Sequence, residues 1–360
     1  MTDFSTLITK WYRPNQRKLP WRETNDPYKI WLSEVILQQT RVDQGTDYYL
    51  KFITAYPNVK ALARASEDEV LRLWQGLGYY SRARNMHFAA KAIIKEHKGI
   101  FPSNYAEIRA LKGVGPYTAA AVASIAYGLP HAVVDGNVIR VISRLFRIIE
   151  PFDTSKGKKQ IDIAASEILD KANSGTHNQA MMELGSLICF PKKPLCLQCP
   201  VSAKCLAFAD GSQESYPVRA KKAKVKQRYI HYLVKTDGKR VILRKRPAGD
   251  IWQGLYDFPS KELTSESKKF PAKVLPKGLK PKFDLELIHL LTHQKLQARF
   301  WLIYEKKTII RRGEKAVLIS NLDSYPMPQL LIRYLSNSPY FRAKYLPLNE
   351  GSRQHGRKRK

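Results

Sequence analysis

A single glutamate, Glu34, stands inside the otherwise apolar stretch WLSEVILQQT, residues 31–40. On a helix its i±3 and i±4 neighbours are Ile30, Trp31, Leu37 and Gln38, of which three are apolar. Apolar walls disfavour the carboxylate form, so the acid keeps its proton closer to neutral pH and can donate it. A glutamate on a helix edge that reaches water is the competing reading. A second acid, Asp135, lies in VVDGNVIRV, where it can cap the helix that follows, stabilise positive charge growing in a transition state, or do both. All four cysteines, Cys189, Cys196, Cys199 and Cys205, share one loop with C-x6-C-x2-C-x5-C spacing, bent by Pro191, Pro194 and Pro200. Four thiols in so short a loop imply a metal centre. Structural zinc usually draws on two paired knuckles and only one C-x2-C pair is present, so zinc and an iron-sulfur centre both stay open on spacing alone.

The elements that must hold these groups are mostly helical up to about residue 210, with YKIWLSEVILQQT, EDEVLRLWQGLG, RNMHFAAKAIIKEH and NYAEIRALKG each showing helical periodicity. Asp26 followed by Pro27 marks a helix start and puts Glu34 well inside that helix. LKGVGPYTAAAVAS, residues 111–124, reads as a helix end, a turn at Gly113, Val114 and Gly115, and a new helix with Pro116 in its first position. Without side chains at the two glycines, a phosphate can approach the backbone N–H groups and the positive end of the second helix. A plain helix–helix turn is the alternative.

From Tyr229 the pattern becomes that of strands. Ile230, Tyr232 and Val234 alternate with polar residues, Asp237-Gly238 offers a tight turn, and Val241 and Leu243 resume the alternation, which predicts a β-hairpin. A second alternating run covers Leu296, Ala298, Phe300, Leu302 and Tyr304, and Leu330 to Leu335 reads as a closing helix, so the second domain is α+β. RAKKAKVKQR, residues 219–228, has six basic residues and no acid and reads as a linker exposed to DNA or water; the ending GSRQHGRKRK reads as a disordered tail. The expected division is 1–216 helical with the cysteine loop at 189–205, 217–228 linker, 229–345 second domain and 346–360 tail.

The 62 Lys and Arg against 31 Asp and Glu give a formal net charge of +31, which points to a polyanionic partner. Nucleic acid and an anionic membrane surface both fit. No stretch has the length and apolarity of a signal peptide or a membrane span, since TAAAVASIAYGLPHAVV is broken by Gly128, Pro130 and His131. The expected setting is therefore intracellular and cytoplasmic, without membrane attachment, where cysteines are kept reduced.

The cysteine spacing resembles the [4Fe-4S] loop of the endonuclease III superfamily of DNA glycosylases, and GVGPYT resembles the helix-hairpin-helix of the same superfamily. That likeness implies one [4Fe-4S] cluster on the four cysteines, DNA-backbone contact at Gly113, Val114 and Gly115, a monovalent cation at the hairpin, and Asp135 as the catalytic aspartate. Lys192, Lys193 and Lys204 on the cysteine loop can meet phosphates, or simply face water. Bifunctional members carry a lysine nucleophile just after the hairpin. Tyr117 occupies that position here, which removes the amine needed for a Schiff base and implies a monofunctional enzyme.

Taken together, Pro20-Trp21, WLSEVILQQT, QGLGYYSRARN, GVGPYT, VDGNV and the cysteine loop resemble the adenine DNA glycosylases of the MutY type over nearly the whole chain. The resemblance implies that Glu34 protonates adenine at N7 and then helps activate water, while Asp135 stabilises the cationic sugar, with Tyr117 and Asn137 in support. Base recognition maps onto Arg22, Leu37 and Gln179 beside Trp21. Gln39 and Tyr79 fill or wedge the gap left by the extruded base, and Thr40 contacts the opposite base through its backbone.

RPAGDIWQGLYDFP, residues 246–259, resembles the start of a Nudix-like domain, yet the R-E-x-x-E-E metal-binding cluster of a hydrolase is missing, which implies recognition without hydrolysis. In the resembled family this domain senses 8-oxoguanine with a hairpin tip written F-S-H. Here the tip reads Leu291, Thr292 and His293, keeping a hydroxyl and the histidine but not the phenylalanine. The implied partner is double-stranded DNA carrying adenine opposite 8-oxoguanine or guanine, and the implied state is a monomer.

Overall fold

The structure, a computed structural model, describes residues 2–220, 225–271, 280–305 and 310–342. They cluster into two units, one formed by residues up to Arg64 and from Asn85 to Ala220, the other by Ala65–Arg84 and Val225 onward. In chain order the helices before residue 220 are α1 (Thr2–Asn15), α2 (Pro27–Leu37), α3 (Val42–Ala55), α4 (Val59–Arg64), α5 (Glu67–Leu73), α6 (Ser81–Glu96), α7 (Tyr105–Ala110), α8 (Pro116–Tyr127), α9 (Gly136–Leu145), α10 (Ser155–Glu167), α11 (Ser174–Leu187) and the short α12 (Leu206–Ala209).

In the first unit, α2 starts where Asp26 accepts the Tyr28 amide at 2.9 Å and Pro27 fills the first helical position, whose missing N–H costs nothing there. Its residues Ile30 to Ile36 are all buried, because α2 is covered by α8 and α3. The α8 segment is apolar around its whole circumference, as a central helix must be, and ends at Gly128 with φ +66°. Asp135 caps α9, accepting the Val138 amide at 2.7 Å. Helix α11 packs on α9, α1 and α8, so α2, α8, α9 and α11 converge. The core beside them is built from Phe4, Ile8, Val141, Ile142, Ile161, Met181 and Leu184.

The second unit contains β1 (Lys226–Thr236), β2 (Arg240–Lys245), β3 (Tyr256–Asp257), β4 (Ser260–Leu263), β5 (Lys282–Leu290), β6 (Gln294–Tyr304), β7 (Glu314–Leu318) and α13 (Gln329–Asn337). The sheet order is β3-β2-β1-β6-β5, with β4 also pairing β1 and β7 also pairing β2. Its centre is the parallel pair β1/β6, in register from Lys226↔Gln294 to Thr236↔Tyr304. One face carries Ile230, Tyr232, Val234, Leu296, Ala298 and Phe300, on which α13 lays Leu330, Leu331, Tyr334 and Leu335. Tyr334 stacks on Phe300 at 3.8 Å between ring centroids.

Several boundaries differ from expectation. The hairpin forms at Asp237-Gly238, with Gly238 at φ +94° and the Arg240 amide on Asp237 Oδ1 at 2.6 Å, but β1 meets β2 only near its end, at Thr236↔Val241. Its earlier residues Tyr229–Tyr232 pair with β4. The basic stretch 219–228 is not wholly an exposed linker. The Ala220 amide bonds Asp153, β1 already starts at Lys226, and Arg228 is buried on Asp250 and Glu262 at 2.8 and 2.6 Å. Basic residues whose charge is matched by carboxylates distant in sequence can enter a core, which composition does not reveal. Residues 221–224 of that stretch and the tail 346–360 lie outside the described residues. Ala65–Arg84, expected within the 1–216 domain, packs with the second unit: Asp68 binds Lys245 at 2.6 Å and Tyr256 at 3.0 Å, and Gln75 accepts the Met327 amide at 3.1 Å. Helical periodicity shows that a segment has an apolar face, not which core receives it.

Candidate active site

A cavity of about 200 Å³ in the first unit is lined by Glu34, Tyr117, Asp135 and Asn137 together with Trp21, Arg22, Leu37, Thr40 and Gln179. Nine of the residues singled out from the sequence thus meet in one place, drawn from α2, α8, α9 and its cap, α11, the turn before α2 and the turn after it. A larger cavity of about 540 Å³ lies past Tyr117, against Tyr105, His131 and Lys158, but it holds neither Glu34 nor Asp135. The smaller one brings the two acids together.

Glu34 is 7% exposed, which excludes a helix-edge glutamate reaching water. The Tyr117 hydroxyl donates to its Oε2, leaving the other carboxyl oxygen for a proton. Burial pushes the Glu34 pKa up to about 7, and the neighbouring Asp135 adds to the rise, against the opposing pull of the Tyr117 hydrogen bond and Arg22. Glu34 is therefore an acid poised near neutrality. Tyr117 is half-buried, and burial of its hydroxyl together with Glu34 raises its pKa well above that of a free tyrosine, so it acts as a neutral donor.

Asp135 has both oxygens occupied, Oδ1 by the Val138 amide at 2.7 Å and Oδ2 by Asn137 Nδ2 at 2.8 Å. It is cap and cavity acid at once. Burial raises its pKa; the bonds from Val138 and Asn137 and the charge of Arg140 oppose that rise. Asn137 is itself held by Arg140 Nη2 at 2.9 Å, and Arg140 also reaches the Cys189 and Gly185 carbonyls at 2.6 Å each. A proton donor and a fixed carboxylate in one enclosed cavity can protonate a leaving group and stabilise the cation left behind.

One residue of this site was not anticipated. Glu183, on α11, is fully buried and accepts from Arg17 at 2.7, 2.8 and 2.9 Å and from Arg22 at 2.8 and 3.0 Å. Burial alone would raise its pKa, but the hydrogen bonds from Arg17 and Arg22 outweigh it and hold the carboxyl at about 2. Arg22 thus owes its place beside Glu34 to Glu183. The signal was in the sequence: MMELGSL, like WLSEVIL, carries one acid in an apolar helix. Glu183→Gln leaves two guanidinium groups without their carboxylate, and the expected loss is about 3–5 kcal/mol of unfolding free energy, read from urea titration at pH 7. Because the native pKa is depressed, this contribution is present above the ordinary glutamate value and fades as pH falls toward 2.

At the hairpin, Gly113 has φ +82°, and a Cβ there would lie 2.6 Å from Asn85 Cβ, so glycine is required for local reasons. A Cβ at Gly115 would meet nothing within 4 Å. The Val114 amide is taken by the Leu111 carbonyl at 3.0 Å, whereas among the described residues the Gly113 and Gly115 amides have no backbone acceptor. They lie at the start of α8, the positive end of that helix.

Gln39, Tyr79, Thr292 and His293 fall outside the cavity, and Thr40 lies at its edge beside Gln39. Gln39 is exposed with φ +58°, and the Thr40 amide is committed to the Leu37 carbonyl at 3.1 Å. Tyr79, 49% exposed with φ +46°, belongs to the second unit, where its hydroxyl is hydrogen-bonded to that of Thr292. His293 is exposed, and its carbonyl accepts the Lys226 amide at 2.9 Å. Tyr80, by contrast, is core, with its hydroxyl on the Met327 carbonyl.

The four cysteines line one small cavity with Arg144, Ile188 and Phe208. Backbone N–H groups of Val201 and of Ala207 and Phe208 point to Cys199 and Cys205, and Arg144 donates to Cys189 Sγ at 3.2 Å. Among the described residues no three His, Cys, Asp or Glu side chains converge as a single metal ion would need. An all-thiol donor set around a shared void, with N–H groups directed at sulfur, suits a polynuclear iron-sulfur group better than one tetrahedral ion. No helix among the described residues is long and apolar enough to cross a membrane.

Comparison with known proteins identifies the family of each part of the chain. The family model of HhH-GPD superfamily base excision DNA repair proteins matches residues 32–170, and that of the NUDIX domain matches residues 229–337. The adenine DNA glycosylase of Buchnera aphidicola subsp. Acyrthosiphon pisum (strain APS) is 37% identical over 257 residues, 71% of this chain and 73% of that protein. The adenine DNA glycosylase of Buchnera aphidicola subsp. Baizongia pistaciae (strain Bp) is 33% identical over 87% of this chain and 90% of its own length. Among solved structures, a thermostable thymine-DNA glycosylase superposes with TM-score 0.53 at 28% identity, covering 58% of this chain and 96% of that one. With relatives of this identity aligned over most of both chains, the protein belongs to the adenine DNA glycosylases, base-excision-repair enzymes of the helix-hairpin-helix superfamily that remove adenine.

Proposed function

We propose that the chain acts on double-stranded DNA as a monomer, hydrolysing the N-glycosidic bond of adenine paired with 8-oxoguanine or guanine and leaving an abasic site uncut. The observation that carries this reading is Glu34, buried, held near pH 7 and sharing its cavity with Asp135. An adenine turned out of the duplex enters the cavity and is protonated by Glu34 at N7. The glycosidic bond then breaks toward a cationic sugar that Asp135 stabilises. Water adds to the sugar, with the deprotonated Glu34 accepting its proton. Tyr117 holds Glu34 and carries no amine, so no Schiff base forms. Support for DNA as substrate comes from the net charge of +31 and the open Gly113 and Gly115 amides.

We assign Thr292 and His293, with Tyr79, to the base opposite adenine. The one arginine and the two aspartates of the 246–259 segment are spent on one another, Arg246 on Asp250 and Asp257 at 2.8 and 2.6 Å, and not arranged to hold a catalytic metal. The four cysteines are assigned to one [4Fe-4S] cluster, which supplies structural order and electron-transfer capacity to the loop.

The test is a duplex carrying adenine opposite 8-oxoguanine. Incubation followed by alkali is expected to break the strand at the adenine, with no break before alkali and no adduct trapped by borohydride. Bound DNA without an alkali-labile site would overturn the reading. The rate at subsaturating substrate is expected to fall as pH rises through about 7, approaching tenfold per pH unit, because the protonated form of Glu34 is the active one. A rate rising across that window would exclude Glu34 as the acid.

A further inference from the structure

Four arginines are buried among the described residues: Arg144, Arg228, Arg246 and Arg299. Three of them sit between two carboxylates each. Arg228 binds Asp250 and Glu262, Arg246 binds Asp250 and Asp257, and Arg299 binds Glu286 and Glu266. Arg144, on α9 and only 2% exposed, has no carboxylate within ion-pair distance among the described residues. Its Nη1 reaches the Phe190 carbonyl at 2.7 Å, Nη2 the Pro191 carbonyl at 3.0 Å and Nε the Tyr216 carbonyl at 3.2 Å. Carbonyls satisfy its hydrogen bonds but leave its charge unbalanced, and a buried guanidinium without a counter-charge is strongly unfavourable. Its remaining hydrogen-bond partner among the described residues is Cys189 Sγ at 3.2 Å.

We infer that Arg144 is the buried counter-charge of the four-thiolate centre and sets its reduction potential. The inference rests on the cluster assignment above. Four deprotonated thiols give such a centre a net negative charge in its usual oxidation states, and a cation placed against one of those sulfurs favours the state with the extra electron. Removing the cation makes loss of one electron easier and lowers the potential. The carbonyl contacts add a second effect: the same guanidinium ties residues 189–191 of the loop to the segment at Tyr216. Arg144 touches no residue of the excision cavity that could carry a proton, so its effect is expected on the potential and not on the alkaline limb of the pH profile.

The experiment is voltammetry of the purified full chain adsorbed on an electrode, which accepts the electron, with iron and acid-labile sulfide quantified in the same sample. Arg144→Gln keeps hydrogen-bonding reach without the charge. It is expected to shift the oxidised-to-reduced ratio at fixed potential by tenfold or more, about 59 mV to lower potential for a one-electron couple. Arg144→Lys keeps the charge without the fork and is expected to shift the ratio by less than about tenfold. If the Gln variant does not fold, the Lys variant decides: a shift below about tenfold supports the inference and a larger one overturns it. An iron-loaded Gln variant at the wild-type potential overturns this inference alone. Wild-type protein lacking iron and sulfide overturns the cluster assignment with it.

Discussion

Glu34→Gln is expected to bind the mispaired duplex within a few-fold of wild type and to lose excision by about 10³- to 10⁴-fold, the upper part of what a general acid contributes. The upper part is appropriate because the same carboxyl is assigned two proton transfers, first to the base and then from water. Glutamine is the neutral isostere of a protonated glutamate. It fits a site that already holds Glu34 uncharged up to about pH 7 and still accepts the Tyr117 hydroxyl. Misfolding is therefore not expected to explain the loss. The native pKa is raised, so the stability Glu34 contributes is complete below its unfolded value and is lost as pH rises through about 7. At pH 8 the Gln variant should be the more stable protein, by up to about 3 kcal/mol. Single-turnover excision with a filter-binding control measures the first effect, and urea titration at pH 5 and 8 the second. A Gln variant that excises adenine at the wild-type rate would dismiss the acid role outright.

How far the sequence foretold this site depends on whether the controlling interaction is local. Helix starts and turns were legible because their chemistry lies within a few residues: Asp26 with Pro27, Gly115 with Pro116, and Asp135 on the amide of Val138. Glu34 was legible as an anomaly, a charge in an apolar helix, and burial is what makes such a charge useful. Glu183 shows the same anomaly, yet what fixes its role is a pair of arginines 161 and 166 residues away, and no periodicity links them. The parallel pairing of β1 with β6, the meeting of Tyr79 with Thr292 across 213 residues, and the docking of Ala65–Arg84 in the second unit are non-local in the same way. Composition misled at Arg228, where a basic run was read as solvated although carboxylates farther along the chain, Asp250 and Glu262, neutralise it. The second domain's α+β character was plain from alternation; the identity of each strand's neighbour was not, since period-two patterning marks a face and leaves the partner open.

Asp135→Asn is expected to slow excision by about 10²- to 10³-fold, the usual consequence of removing one fixed group that opposes charge developing in a transition state. Asparagine keeps an oxygen for the Val138 amide, so the start of α9 should survive, but its NH₂ would face Asn137 Nδ2, donor against donor, and the charge is gone. Slowing alone would also follow from a distorted cavity, so the diagnostic lies in the coupling between the two acids. The negative charge of Asp135 is one of the causes that raise the Glu34 pKa. Without it Glu34 should release its proton at lower pH, and the alkaline limb of the residual activity should move below the wild-type midpoint near 7. Arg140→Gln, which removes the cation beside Asp135 and the bond to Asn137, should leave the Asp135 charge in place and therefore should not lower that midpoint. Measured pH profiles of the two variants decide the matter: a midpoint unchanged in Asp135→Asn would mean that the two carboxyl groups do not sense each other, and the shared cavity would then lose its meaning as one catalytic site.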